Sequence, residues 1–107
     1  MELPEISVNQ LASELASGAA LLDVREVDEW QQARVRGGTL IPLGEIFDRL
    51  NEIPSNGRLY VICKSGARSA SACEFLRLRG IDAVNVAGGT LAWIESEIGR
   101  ASCRERV

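Results

Sequence analysis

The chain ends the apolar run "LYVIC" on a cysteine, Cys63, and follows it with Lys64, Ser65, Gly66, Ala67 and Arg68. A cysteine acts as a nucleophile through its thiolate. The sequence contains 0 histidines, so a Cys–His pair is excluded and the anion must be favoured by its surroundings. Three features supply that. The segment after the loop reads as a helix, whose first turn has unpaired amide donors and the positive end of the dipole. The loop from Lys64 to Arg68 is short enough to curl its N–H groups into an anion-binding nest, and Gly66 permits the backbone angles this needs. Lys64 and Arg68 add positive charge. Together these cradle a thiolate or an anionic group attached to it. The alternative for Cys63 is a buried structural cysteine at a strand end. That alternative leaves a glycine with two flanking cations unexplained. Cys73, on the apolar side of the following helix, reads as a core residue.

The elements that must position this loop follow from the pattern. "EISVNQLASELASG" begins a helix at Ser7, with Gln10 completing a capping box and Gly18 suiting the stop. "AALLDVR" is a buried strand ending near Asp23. "EVDEWQQAR" is a short helix with its acids early, where the dipole favours them. "TLIPL" is a strand, and "GEIFDRLNEI" is helical by Ile46, Phe47 and Leu50. Pro54, Asn56 and Gly57 mark a turn. "LYVIC" is continuously apolar, as expected of a strand covered on both faces. Residues 67 to 79 form a helix with Ala72, Phe75 and Leu76 inward and Arg77 and Arg79 outward. Gly80 lies just past its end. "AVNVA" is the last strand, and "GGTLAWIESEI" opens the last helix. The alternation predicts a parallel sheet with helices on its faces. In such folds ligands sit beyond the carboxyl ends of the strands, where Cys63 lies.

At 107 residues the chain makes one domain, long enough to bury a core without staples. Hydrophobic residues at 46% and charged residues at 25% exclude disorder. The net charge of -3 argues against nucleic acid or an acidic membrane surface as partner. Three cysteines without a CxxC pair form neither a disulfide framework nor, lacking histidine, a zinc site. The N-terminus "MELPEISVNQ", with two acids and no apolar stretch, does not read as a secretory signal, and no run approaches the ~20 apolar residues of a membrane span. The expected setting is a reducing, cytoplasmic one. The tail "EIGRASCRERV" reads as the translation of a sequencing-adapter read-through. This predicts a domain of residues 1–96 followed by a non-native tail, 97–107, in which Cys103 has no role.

"CKSGARS" resembles the active-site loop of the single-domain rhodaneses, a family of sulfurtransferases. "LLDVREVDEW" is similar to the family's Asp-Val-Arg-Glu segment, "GGTLIPLGEI" to the strand after its Gly-Ala step, and "VNVAGGTLAW" to its closing Gly-Gly…Trp segment. The resemblance runs from about Ile6 to Glu95, in the family's order. It implies an α/β fold with a parallel sheet of about five strands flanked by helices on both faces. It also implies covalent catalysis in two steps. The Cys63 thiolate takes the outer sulfur of a donor such as thiosulfate, and cyanide or a thiol then removes it from the persulfide. Lys64, Ser65, Gly66, Ala67 and Arg68 would form the substrate-binding loop. Asp23 would support the loop and Arg25 would lie near the site, or both would belong to an ion-pair network at the sheet edge. Glu29 would cap or pair locally. Trp30 and Trp93 would pack rather than form a substrate platform. No cofactor and no metal are implied. The partners implied are a small anionic sulfur donor, a thiol or cyanide acceptor and a sulfur-relay protein.

"ARVRGGT" departs from the family's usual Gly-His-Ile-Pro-Gly-Ala step, with Arg34 and Arg36 in place of the histidine and proline. These arginines would add positive potential near the site or be solvated. Two other readings compete. A cysteine phosphatase or arsenate reductase-like enzyme would need a Cys-to-Arg loop one residue longer, to hold a tetrahedral oxyanion. A non-enzymatic rhodanese-like module for regulation or binding commonly lacks the cysteine that this chain keeps.

Overall fold

In the computed structural model, which describes residues 3–96, the apolar runs become strands and the amphipathic stretches become helices. The strands are β1 (Glu5–Ile6), β2 (Ala20–Asp23), β3 (Thr39–Leu40), β4 (Leu59–Ile62) and β5 (Ala83–Val86). The helices are α1 (Val8–Ala16), α2 (Val27–Gln32), α3 (Ala67–Leu78) and α4 (Gly89–Glu95). The strands form one parallel five-stranded sheet in the order β1-β5-β4-β2-β3. This is the α/β fold that the alternation predicts. The expectation for residues 97–107 lies outside the described residues.

The centre of the sheet explains where the site sits. Along β4 the side chains alternate between two cores. Leu59, Val61 and then Cys63 face α3, against Ala72, Cys73 and Leu76. Tyr60 and Ile62 face the other side, with Leu11 of α1 and Trp93 of α4. All four β4 residues are buried. Each large aliphatic side chain sealed there contributes about 1.5–3 kcal/mol. Cys63 is thus the next inward position of a strand gripped on both faces. Asp23 stands in register with Ile62, so the ends of β2 and β4 lie side by side.

The capping box at the start of α1 forms as expected. Gln10 N–H donates to Ser7 Oγ at 3.1 Å and Ser7 N–H donates to Gln10 Oε1 at 2.9 Å. Two expectations are corrected. The segment read as a helix, "GEIFDRLNEI", instead forms two 3-10 turns, Leu43–Glu45 and Leu50–Glu52. Its ends are set by Pro42 and Pro54, and Ile46 and Ile53 are its buried anchors, whereas Phe47 is 64% exposed. With its apolar face split in this way the segment gains little from a continuous α-helix. The strand read in "TLIPL" shrinks to two residues, because Pro42 has no N–H to extend the ladder. The short β1, unannounced by any apolar run, pairs with β5 at Glu5–Asn85 and Ile6–Val86.

Candidate active site

The loop between β4 and α3 turns its amides toward the Cys63 sulfur because its carbonyls are occupied elsewhere. The Cys63 and Lys64 carbonyls accept the Thr90 and Leu91 amides of α4 at 2.8 and 3.0 Å. Gly66 N–H donates to Cys63 Sγ at 3.1 Å. Gly66 caps α3 with φ +111°, a left-handed conformation that favours glycine. Gly89 is required for a different reason as well. A Cβ there would run into the Cys63 carbonyl oxygen and lie 2.5 Å from that of Lys64. The Gly-Gly of "VAGGT" therefore lets α4 press directly on the loop backbone.

Cys63 is 1% exposed. Burial, the largest single influence, pushes its thiol up. The Ser69 hydroxyl and the amides of Ser69, Gly66 and Ser65 together outweigh burial and hold the thiol below its ordinary value. Cys73, one turn further along α3, lacks such donors and is pushed by burial to about 12. One thiol of the pair is prepared to ionise and the other is not.

The two cations after Cys63 take different positions, Lys64 in the loop and Arg68 in the first turn of α3. Lys64 is exposed, and among the described residues its side chain makes no ion pair. Arg68 donates from both terminal nitrogens to Glu29 of α2, at 2.8 and 2.9 Å. Glu29 also accepts the Glu26 N–H at 2.9 Å, so its expected local capping role holds and the loop arginine is added to it. The Arg68 hydrogen bond, opposed by some burial, brings Glu29 down to about 2.

Asp23 and Arg25 form a buried ion pair beneath this arrangement. Arg25 Nε and Nη2 donate to Asp23 Oδ1 and Oδ2, each at 2.9 Å. Arg25 Nη2 also donates to the Ala33 carbonyl at 2.9 Å, and Nη1 to that of Glu29 at 3.4 Å. The pair fastens the end of β2 to α2, the helix that holds Arg68. Trp93 packs in the core. Trp30 is half-buried beneath Arg34, whose guanidinium carbon lies 5.0 Å from the ring centroid. Arg34 is thus stacked rather than merely solvated.

Sequence reasoning missed two residues. Ser69, fully buried in the first turn of α3, has its Oγ 3.3 Å from Cys63 Sγ and 2.5 Å from Asn85 Oδ1. Asn85 is 2% exposed within β5. A polar amide inside the apolar run "AVNVA" was a visible signal, since a buried amide must find partners. The other end of the sheet carries a cleft of about 610 Å³ lined by Gly18, Ala20, Arg58, Tyr60 and Asp82, among others. None of the candidate site residues lines it.

The rhodanese-like domain family matches residues 7–96. YrkF of Bacillus subtilis, whose assigned name is that of a sulfur carrier protein, is 39% identical over 94 residues; these are 85% of this chain but only 51% of that protein. The chain thus spans about half the length of that relative. A sulfurtransferase of Allochromatium vinosum is 35% identical over 92 residues, 83% of this chain and 86% of its own. The crystal structure of a rhodanese-like domain protein from Staphylococcus aureus superposes with a TM-score of 0.80 at 36% identity, covering 85% of this chain and 91% of that one.

Proposed function

Because the chain belongs to the rhodanese-like domain family, we propose that it is a sulfurtransferase that carries sulfane sulfur on Cys63. Its relatives' names point to sulfur transfer in general. The finer reading rests on one observation, a buried thiol ringed by donors at the carboxyl end of the central strand. In the first step the Cys63 thiolate attacks the outer sulfur of thiosulfate. The S–S bond of the donor breaks, its electron pair leaves with sulfite, and Cys63 holds an anionic persulfide. In the second step cyanide or a thiolate takes the outer sulfur, and the electron pair of the new S–S bond returns to Cys63. The same donors that favour the thiolate serve the persulfide, because both are sulfur anions in one cradle.

The loop from Lys64 to Arg68 is the donor-binding element in this account. Lys64 is its free charge, drawing the anion to the rim. Arg68 shapes the loop through Glu29, and Asp23 and Arg25 anchor α2 beneath it. The four residues between Cys63 and Arg68 make a cradle that favours a single sulfur over a tetrahedral oxyanion. The domain proposed is residues 1–96, with 97–107 outside it, and the proposed setting is cytoplasmic, where a reducing environment keeps the Cys63 thiol free. Among the described residues no helix is long and apolar enough to cross a membrane. A sulfur carrier among the relatives suggests that another protein supplies or receives the sulfur. Initial rates of thiocyanate formation from thiosulfate and cyanide test the reading. Turnover that Cys63→Ala abolishes and Lys64→Ala weakens chiefly through KM supports it. Hydrolysis of an aryl phosphate in its place would reject it.

A further inference from the structure

Ser69 has one hydroxyl hydrogen and three acceptors in reach: Asn85 Oδ1 at 2.5 Å, the Gly66 carbonyl at 3.2 Å and Cys63 Sγ at 3.3 Å. The Gly66 carbonyl is already supplied by Ala70 N–H at 3.1 Å and by Asn85 Nδ2 at 3.3 Å, which fill its two lone pairs. The hydrogen therefore chooses between Asn85 and the sulfur.

Chemistry dictates which way the Asn85 amide points. Its Nδ2 faces two acceptors, the Gly66 carbonyl and the Glu5 carboxylate at 3.1 Å, so its oxygen must face Ser69. The reversed amide would set oxygen against oxygen at both contacts. Glu5 reaches this amide because β1 pairs in register with β5, with Glu5 directly beside Asn85.

We propose that Asn85 is a positioning residue that takes the Ser69 hydrogen while Cys63 is a thiol and yields it when the sulfur becomes an anion. In the resting state the Cys63 S–H donates to the Ser69 oxygen, whose lone pairs are open. When the thiol proton leaves to solvent, the hydroxyl rotates from Asn85 Oδ1 to Sγ. No heavy atom needs to move. Asn85 Oδ1 then loses its donor in a buried place, which opposes ionisation. Asn85 thereby sets how readily Cys63 ionises, against the aid that Ser69 gives.

The titratable groups around the thiol are Lys64 of the loop, Arg68 and Cys73 of α3, Glu29 of α2 and Glu26 at its N-cap acting through Arg68, and Glu5 of β1 acting through Asn85. All of them are shared by wild type, Asn85→Leu, Ser69→Ala and the double variant. The inference concerns protonation of the thiol and stands apart from the sulfur-transfer reading.

The test is the pH dependence of Cys63 alkylation, followed at that peptide by mass spectrometry in these four proteins. Asn85→Leu removes the acceptor at 2.5 Å and reopens one lone pair of the Gly66 carbonyl, whose longer 3.2 Å contact holds the Ser69 hydrogen less tightly against the competing thiolate. The thiolate fraction at a fixed pH below the midpoint should rise roughly tenfold, one unit of pKa. Ser69→Ala should move the midpoint up, and adding Asn85→Leu to it should change nothing further. An upward shift for Asn85→Leu, no shift, or a shift that persists without Ser69 would overturn the proposal. If Asn85→Leu does not fold, exposed Glu5→Ala replaces it. Loss of the carboxylate charge shifts the midpoint down in either background, and loosening the amide should add a further downward shift, smaller than that of Asn85→Leu, that appears only with Ser69 present. Absence of that dependence on Ser69 overturns the proposal equally.

Discussion

The guanidinium of Arg68 is gripped by both carboxylate oxygens of Glu29, from 39 residues earlier in the chain. The loop arginine is thus neutralised before any substrate arrives. Glu29→Gln keeps an acceptor for Arg68 and removes the charge. Its KM for thiosulfate should fall severalfold, with a steeper dependence on ionic strength, because a second loop cation becomes available. An unchanged KM and salt slope would mean that Arg68 takes no part in attracting the donor.

The same pair sets an acid limit. Held by Arg68, Glu29 stays ionised in the fold down to about 2, whereas the unfolded chain protonates it near 4.5. Its stabilisation is therefore present above the unfolded value and is lost as the pH falls from 4.5 toward 2. The pair is partly exposed, so its worth is about 1 kcal/mol or less. Urea unfolding of wild type and Glu29→Gln should differ by that much at pH 7 and converge toward pH 2.

Gly89 tests the contact between α4 and the loop. An added Cβ meets loop backbone at a φ of +59°. Gly89→Ala should lose about 2–4 kcal/mol in chemical denaturation, from overpacking and left-handed strain together. Gly37→Ala has a comparable φ of +86° but open space around it, and should lose only about 1 kcal/mol. Equal losses would deny that α4 braces the loop.

Two thiols on one helix–strand layer should react very differently. With Cys73 pushed to about 12 and Cys63 held below its ordinary value, iodoacetamide near pH 8 should label Cys63 and spare Cys73 in the native protein. Both should be labelled in urea. Preferential native labelling of Cys73, read by peptide mass spectrometry, would contradict the electrostatics of the cradle.

What was legible in advance was what local pattern encodes. The run "LYVIC" carried its double burial on its face, and Ser7 with Gln10 marked a helix start that the structure forms. Cys63, Gly66 and the following helix start announced a nest within six residues. The pairs that complete the site are long-range and have no local trace. Arg68 finds Glu29, Ser69 finds Asn85, and Asn85 finds Glu5 only after three strands and two helices pack. Asn85 was the exception, since an amide in an apolar strand asks for a buried partner. The segment from Leu43 to Ile53 misled because Ile46, Phe47 and Leu50 have helical spacing. Spacing does not reveal that Phe47 stays in the open, 6.2 Å from Phe75 between ring centroids.

The central claim is that Cys63 carries the sulfur. Intact-mass spectrometry of the reduced protein after thiosulfate, with and without a cyanide chase and beside Cys63→Ser, tests it most directly. The account predicts a gain of one sulfur atom that cyanide removes and that Cys63→Ser never acquires. A gain of the same size in Cys63→Ser would place the sulfur elsewhere and contradict it.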